Sequence, residues 1–215
     1  MDEFPRRFLS YEQLRVEAAE FLARYHPTGT VPVPIESIAE EQFEIDIVPV
    51  PGLQLTLQSD EQGVVGFITS DLKEIHIDEW VWNYRYNRYR FTIAHELGHA
   101  VLHRELILRR QFRSAEEWKA FINSIPDDEH RWYEWQAYAF AGLVLVPAQP
   151  LRRTFAARVA EVRRFVEREG MVLAAVADTV WDIVLELVAK DFEVSTEVVE
   201  RRAEKDKLRP DFLPA

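Results

Sequence analysis

Cysteine is absent from this chain of 215 residues. Disulfides are therefore excluded, as is any thiolate-held metal, so an ion bound here would have to be ligated by His, Asp or Glu. Basic charge is also in short supply: 26 Lys and Arg stand against 37 Asp and Glu, a formal net charge of −11. Non-specific nucleic-acid binding needs a basic footprint to displace counterions, and this balance argues against it, leaving room only for a local patch. The opening Met1-Asp2-Glu3-Phe4-Pro5-Arg6-Arg7 leads into an amphipathic stretch, so no signal peptide is read there. A long uninterrupted apolar run is lacking too. The most apolar stretch, Met171 to Val188, carries Asp178, Asp182 and Glu186 at four-residue spacing. A bilayer would penalise each of those charges by roughly 2–3 kcal/mol, so the stretch reads as a core-packed helix and the chain as cytoplasmic, without a membrane partner. Internal repeats and low-complexity tracts are missing as well.

What is present is the composition of a globular protein, 47% hydrophobic and 29% charged. The length suits one domain, or one with a small appendage. Tyr11 to Tyr25 places Leu14, Ala18, Phe21 and Leu22 at helical spacing behind a Ser10 cap with Gln13 three residues on. The period then changes to two. Phe43, Ile45 and Ile47 alternate with acids, Leu53, Leu55 and Leu57 alternate with polar residues, and Val64 to Ile68 and Glu74 to Asp78 follow as further short strands. These predict a small sheet with hairpin connections. Beyond Asp78 the composition is helical over 88–104, 114–125, 128–146, 150–169 and 172–190, with Pro147 and Pro150 marking a boundary. The tail, 188–208, reads as helix, a turn at Glu193-Val194-Ser195, and a second helix capped by Ser195 or Thr196.

The chemistry is concentrated in Arg90-Phe91-Thr92-Ile93-Ala94-His95-Glu96-Leu97-Gly98-His99, which contains H-E-x-x-H. Residues i and i+4 lie one above the other on a helix face, so His95 and His99 can converge on one tetrahedral zinc ion, with Glu96 projecting beside them toward a bound water. Apolar Phe91, Leu97, Val101 and Leu102 flank the motif and no proline interrupts it. Gly98 costs about 1 kcal/mol relative to Ala inside a helix, which makes sense where another backbone passes close by. Catalytic zinc takes a third protein ligand and keeps one position open. Glu134 is the leading candidate, because Ala137 and Ala141 make its helix face small enough to dock tightly against the first. His130, one turn earlier, competes for the role, and Glu129 is a weaker choice.

Two stretches, R-F-T-I-A-H-E-L-G-H-A-V-L-H from Arg90 to His103 and E-W-Q-A-Y-A-F-A-G-L-V-L-V-P from Glu134 to Pro147, resemble the ImmA/IrrE family of metallo-endopeptidases. So do the segments Gly66-Phe67-Ile68 and Glu74-Ile75-His76-Ile77 and, more loosely, the tail from Leu187 to Leu208. The resemblance implies a zincin-like α+β fold, with a small, mostly antiparallel sheet packed on the H-E-x-x-H helix and a helical C-terminal region. It implies His95, His99 and Glu134 as zinc ligands, Glu96 as catalytic acid and base, and transcriptional repressors as substrates. One position departs from the family: Tyr138 stands where Asn or Asp is more usual, removing a polar group expected to orient a ligand.

The resulting expectation is a zinc endopeptidase domain over 1–148 and a helical region over 149–215, its tail open to a helix-turn-helix-like reading. The alternative is a regulatory protein that binds a repressor or DNA and keeps the metal for structure. His103, Tyr133 and Tyr138 are candidates for orienting a ligand or donating to an oxyanion. His76 reads as structural and His26 as an exposed loop residue. The aromatic and arginine-rich run Trp80 to Arg90 resembles a single-strand-binding surface in composition, but its place before the metal helix favours packing or lining of the substrate cleft. In the tail, Arg201, Arg202, Lys205 and Lys207 are offset by Glu197, Glu200, Glu204 and Asp206, which favours a structural or docking role over direct DNA binding.

Overall fold

The computed structural model describes residues 8–57 and 65–209. The chain divides into two compact units, one formed by the residues up to Pro27 with Pro34–Val144, the other by Thr28–Val33 with the residues from Leu145 onward.

In the first unit α1 (Tyr11–Tyr25) opens with a reciprocal cap: the Ser10 hydroxyl accepts from the Gln13 N–H and the Gln13 side chain accepts from the Ser10 N–H. Leu14, Ala18 and Phe21 face inward. His26, expected in an exposed loop, is only 7% exposed at the C-terminal cap of this helix. α2 (Ile35–Ser37) runs into a π-helical turn over Ile38–Gln42. β1 (Asp46–Val50) follows and continues through Pro49, which an edge strand tolerates.

The expected strand at Leu53 is instead a short helix, α3 (Leu53–Leu57). Of its alternating leucines Leu53 is buried, while Leu55 is 84% exposed. The Gln54 N–H is bound not by a neighbouring strand but by the Asp78 carboxylate at 2.9 Å. The stretch Ser59 to Gly63, read as a turn, lies outside the described residues, as does Val64 at the start of the strand expected next.

β2 (Gly66–Ile68) and β3 (Glu74–Asp78) form a hairpin. Asp71 organises its turn, accepting from the Thr69 hydroxyl at 2.8 Å and the Lys73 N–H at 3.2 Å. The three strands lie in the order β1-β3-β2. β3 is central, parallel to β1 and antiparallel to β2. The α+β class holds, with a mixed sheet in place of a mostly antiparallel one.

Asp78 caps α4 (Glu79–Tyr84), accepting from the N–H groups of Trp80 and Val81. α5 (Tyr86–Leu102) then crosses β2 and β3, burying Ile93, Ala94 and Leu97 completely. It can lie that close because of Gly66: a Cβ there would stand 2.6 Å from the His76 carbonyl oxygen and 2.7 Å from the Thr92 methyl group. The first turns of α5 are anchored by Arg90, buried and paired with Glu36 at 3.1 Å. α6 (Arg104–Leu108), α7 (Ala115–Ile122, with a Ser114/Glu117 capping box) and α8 (Asp127–Leu145) complete the unit.

The second unit contains α9 (Ala148–Arg168), α10 (Ala177–Phe192) and α11 (Thr196–Lys205). α9 and α10 are joined by Arg158, whose guanidinium donates to both carboxylate oxygens of Asp191 at 2.8 and 2.6 Å. The acidic stripe Asp178, Asp182 and Glu186 is exposed, while Val180, Val184 and Val188 of the same helix are buried. Among the described residues no helix is long and apolar enough to cross a membrane. Ser195 caps α11 through the Val198 N–H. Arg202 is buried, pairing with Asp206 at 2.8 Å and donating to the Val146 carbonyl at 3.2 Å.

Candidate metal centre

α5 presents His95 and His99 on one face, as their spacing requires, and α8 brings Glu134 against them. The two helices approach closely at Gly98, where a Cβ would come within 3.3 Å of the Ala137 Cα and carbonyl oxygen and 3.2 Å of the Phe140 ring. The glycine on one helix and the alanine on the other are thus two halves of one contact. Ala137 and Ala141 are fully buried in it.

The result is a compact trio. Nε2 of His95 and Nε2 of His99 are 3.0 Å apart. The two Glu134 oxygens lie 3.3 Å from His95 and 3.3 Å from His99. A tetrahedral zinc ion with bonds of 2.0–2.1 Å spaces its ligand atoms by roughly 3.3 Å. Two imidazole nitrogens and a carboxylate oxygen also form a donor set suited to zinc. The trio can hold a metal ion on both counts, and the three side chains form one potential ligand group.

Glu96 lies beside the trio and is pinned from the other direction, its Oε2 accepting the Ile68 N–H of β2 at 3.0 Å. Burial raises the proton affinity of this carboxyl, opposed by the positive character of His95 and His99. Burial acts on Glu134 in the same sense, but contacts from His130, His95 and His99 outweigh it and hold its carboxyl well below the ordinary value. His99 shows the complement: burial disfavours its charge, yet Glu134 and then Glu96 raise its proton affinity overall. The two neighbouring carboxyls are thus pushed in opposite directions, Glu134 toward its ionised form and Glu96 toward its protonated one.

The remaining candidates separate. His103 caps the end of α5, buried, with its Nδ1 3.0 Å from Nδ1 of His99. It therefore stands behind His99, at the ring nitrogen that faces away from the trio. Tyr133 is buried with its ring 4.9 Å from that of His103. Tyr138 packs edge-on to the His95 ring, 4.9 Å away at 75°, and also against Phe91. His130 reaches Glu134 at 3.6 Å but stands outside the ligand trio, as does Glu129. His76 is paired with Glu74 on the sheet at 2.6 Å, away from the trio. The run Trp80 to Arg90 does not line the cavity beside the metal ligands. Trp80, Tyr84 and Tyr86 are exposed, and Arg85 stacks over Trp80 at 4.8 Å. Those rings and that cation meet at the surface, while Val81 and Arg90 of the same run are buried.

Two features had no sequence signal: the backbone N–H of Ile68 that fixes Glu96, and the apolar cavity that opens beside the ligands.

Residues 57–204 match the family described as the IrrE N-terminal-like domain, a peptidase family. The chain belongs to it. No curated protein matches. Among solved structures, a Mycobacterium tuberculosis transcriptional regulator is similar in fold at 14% identity and a TM-score of 0.50, with 94% of this chain and 49% of that one covered. The chain thus spans about half the length of that regulator.

Proposed function

We propose that this member of the family is a zinc-dependent endopeptidase acting on a regulatory protein, a transcriptional repressor being the expected class of substrate. The observation that carries the reading is the convergence of His95, His99 and Glu134 at zinc-ligand spacing with a buried, proton-seeking Glu96 beside them. Membership of a peptidase family supports it independently.

When bound, zinc would supply an acidified water and a Lewis acid for the peptide carbonyl. The chain's own residues do the rest. Glu96, held by Ile68, takes a proton from the attacking water and returns it to the departing amine. Its raised proton affinity suits both halves of that task. β2 is an edge strand, so an extended peptide can pair with it next to Glu96; β3 is central and cannot serve. His103 would fix the ring of His99 and leave its Nε2 free to ligate a bound ion.

A DNA-reading role for α11 is not favoured. Arg202 is spent on a buried pair with Asp206, and Arg201 pairs with Glu197 at 2.6 Å. A cytoplasmic location is part of the same proposal.

The test is Glu96→Gln in the full chain, assayed for zinc content by emission spectroscopy and for cleavage of a proteome-derived peptide library by mass spectrometry. Zinc is expected at one equivalent in both proteins, with cleavage lost by at least a hundredfold in the variant. Equal cleavage by both, or no zinc in either, overturns the reading; a zinc-holding protein that cleaves nothing leaves the structural-metal alternative in its place.

A further inference from the structure

The run Trp80 to Arg90, which the metal centre does not use, breaks at Arg85 between α4 and α5 and leaves a ledge of rings at the surface. Trp80 is 47% exposed, Tyr84 72% and Tyr86 52%. The ring of Trp80 lies 6.4 Å from that of Tyr84, and Tyr89 meets Trp82 at 5.0 Å and Tyr86 at 6.3 Å. No acid and no lysine interrupts the run. We infer that this ledge is a docking surface for an arginine-bearing segment of the protein substrate, whose guanidinium groups stack on Trp80, Tyr84 and Tyr86.

Three observations support this occupant. The first is that the rings already take guanidinium groups. Arg85 stands over Trp80 at 4.8 Å and Arg90 over Tyr86 at 5.7 Å, both close enough for the negative face of a ring to attract a cation. The chain's own side chains thus show the contact that an incoming arginine would make. The second is the placing of carboxylates. Glu79 stands exposed directly before Trp80. Glu36 and Glu40 lie near Tyr89, where, after burial, they are the groups that raise its proton affinity. Glu36 is committed to Arg90, while Glu40 is exposed. The third is the wider field. Around the ledge these three carboxylates are matched by Arg85, Arg88 and Arg90, but the whole chain carries 37 acids against 26 bases. A cationic segment is drawn toward such a protein and a phosphate backbone is repelled. The rings alone would also suit a single-stranded nucleic acid, but the basic groove that such a surface requires is not built around them.

The ledge is placed to serve the site. Tyr86 and His95 belong to one helix, roughly 13 Å apart along its axis at 1.5 Å per residue. A segment docked on the ledge is therefore at least about four extended residues from the bond that is cleaved. The ledge selects the protein to be cut, and the bond is selected elsewhere. Proteins that read nucleic acid carry clustered arginine on one face, which suits a transcriptional repressor. That the partner is the substrate rests on the endopeptidase reading; the ledge as an arginine-binding surface does not.

The test needs no metal. The full chain with labelled indole N–H groups is titrated with a nonapeptide of Arg-Gly-Gly repeats and with its citrulline counterpart, which keeps the planar side chain and removes the charge. The arginine peptide should shift the Trp80 resonance saturably, and the citrulline peptide should bind about tenfold more weakly or worse. Tyr84→Ala should weaken the arginine peptide about two- to fivefold. Trp135→Ala, which removes an exposed ring of α8 at the same net charge, should not. Arg85→Ala should tighten binding about two- to fivefold, because it uncovers Trp80 and removes a like charge. Equal binding of the citrulline peptide, an equal loss from Trp135→Ala, or weaker binding in Arg85→Ala overturns the proposal. So does an oligothymidylate that shifts Trp80 at lower concentration than the arginine peptide, which would make the ledge a nucleic-acid surface. The expected pattern in a protein that takes up no zinc and cleaves nothing keeps the ledge and discards a substrate as its partner.

Discussion

The two histidines of the candidate metal centre sit in unlike surroundings. Behind His99 stands another imidazole, His103, buried and within hydrogen-bond distance of the nitrogen that faces away from the trio. Behind His95, which is 1% exposed, the corresponding Nδ1 meets no hydrogen-bond partner among the described residues, and the neighbour packed on the ring is Tyr138. Metal-bound histidines usually donate their second N–H to a fixed acceptor, which sets the tautomer and raises the basicity of the ligating nitrogen. One side of this centre is held by a hydrogen bond, and the other by aromatic packing alone. Shape can orient a ring, but it does not select which nitrogen carries the proton.

Breaking the shared support should produce the largest effect. Gly98→Val forces α8 away from α5, because the added carbons meet the Ala137 backbone and cannot be accommodated by rotating a side chain. A loss of about 1–3 kcal/mol of stability is expected from the overpacking, and Glu134 should be withdrawn from both histidines together. Thermal unfolding and zinc competition with a chromophoric chelator would show it; unchanged zinc affinity would mean that the helix contact does not position the carboxylate.

Removing the hydrogen-bonded side comes next. His103→Ala should weaken zinc binding by about 10- to 100-fold while leaving the fold intact. If the affinity does not move, His99 is oriented by packing, just as His95 is, and the two sides do not differ.

The smallest effect should be a gain. Tyr138→Asn puts an amide oxygen near the His95 ring and should tighten zinc by up to about tenfold. Weaker binding in the Asn variant would show that the tyrosine already supplies the better support.

Much of this centre was legible in the chain because its logic is local. The four-residue spacing of His95 and His99 is a property of one helix, and Glu96 follows from it. Glu134 was reachable because Ala137 and Ala141 mark a helix face that can dock closely, and Gly98 marks its counterpart. Where the reading failed, local pattern and long-range contact disagreed. Leu53, Leu55 and Leu57 alternate like a strand, but among the described residues no strand pairs with them, and the segment coils beside Asp78 instead. His26 follows a helix and precedes a proline, which suggests a loop, but it is buried. Trp80, Tyr84 and Tyr86 suggest packing, but they find their partners among their own neighbours at the surface.

By itself the sequence determined that His95 and His99 share one helix face with Glu96 beside them, because helical periodicity turns spacing into direction without help from the rest of the chain. Only the tertiary structure decided which strand holds Glu96, what stands behind each imidazole, and where the cavity opens. Those depend on segments far apart in the chain meeting at contact distance. Ile68 and Glu96, or Ser70 and Phe112, carry no mark in the sequence of the bond each pair makes.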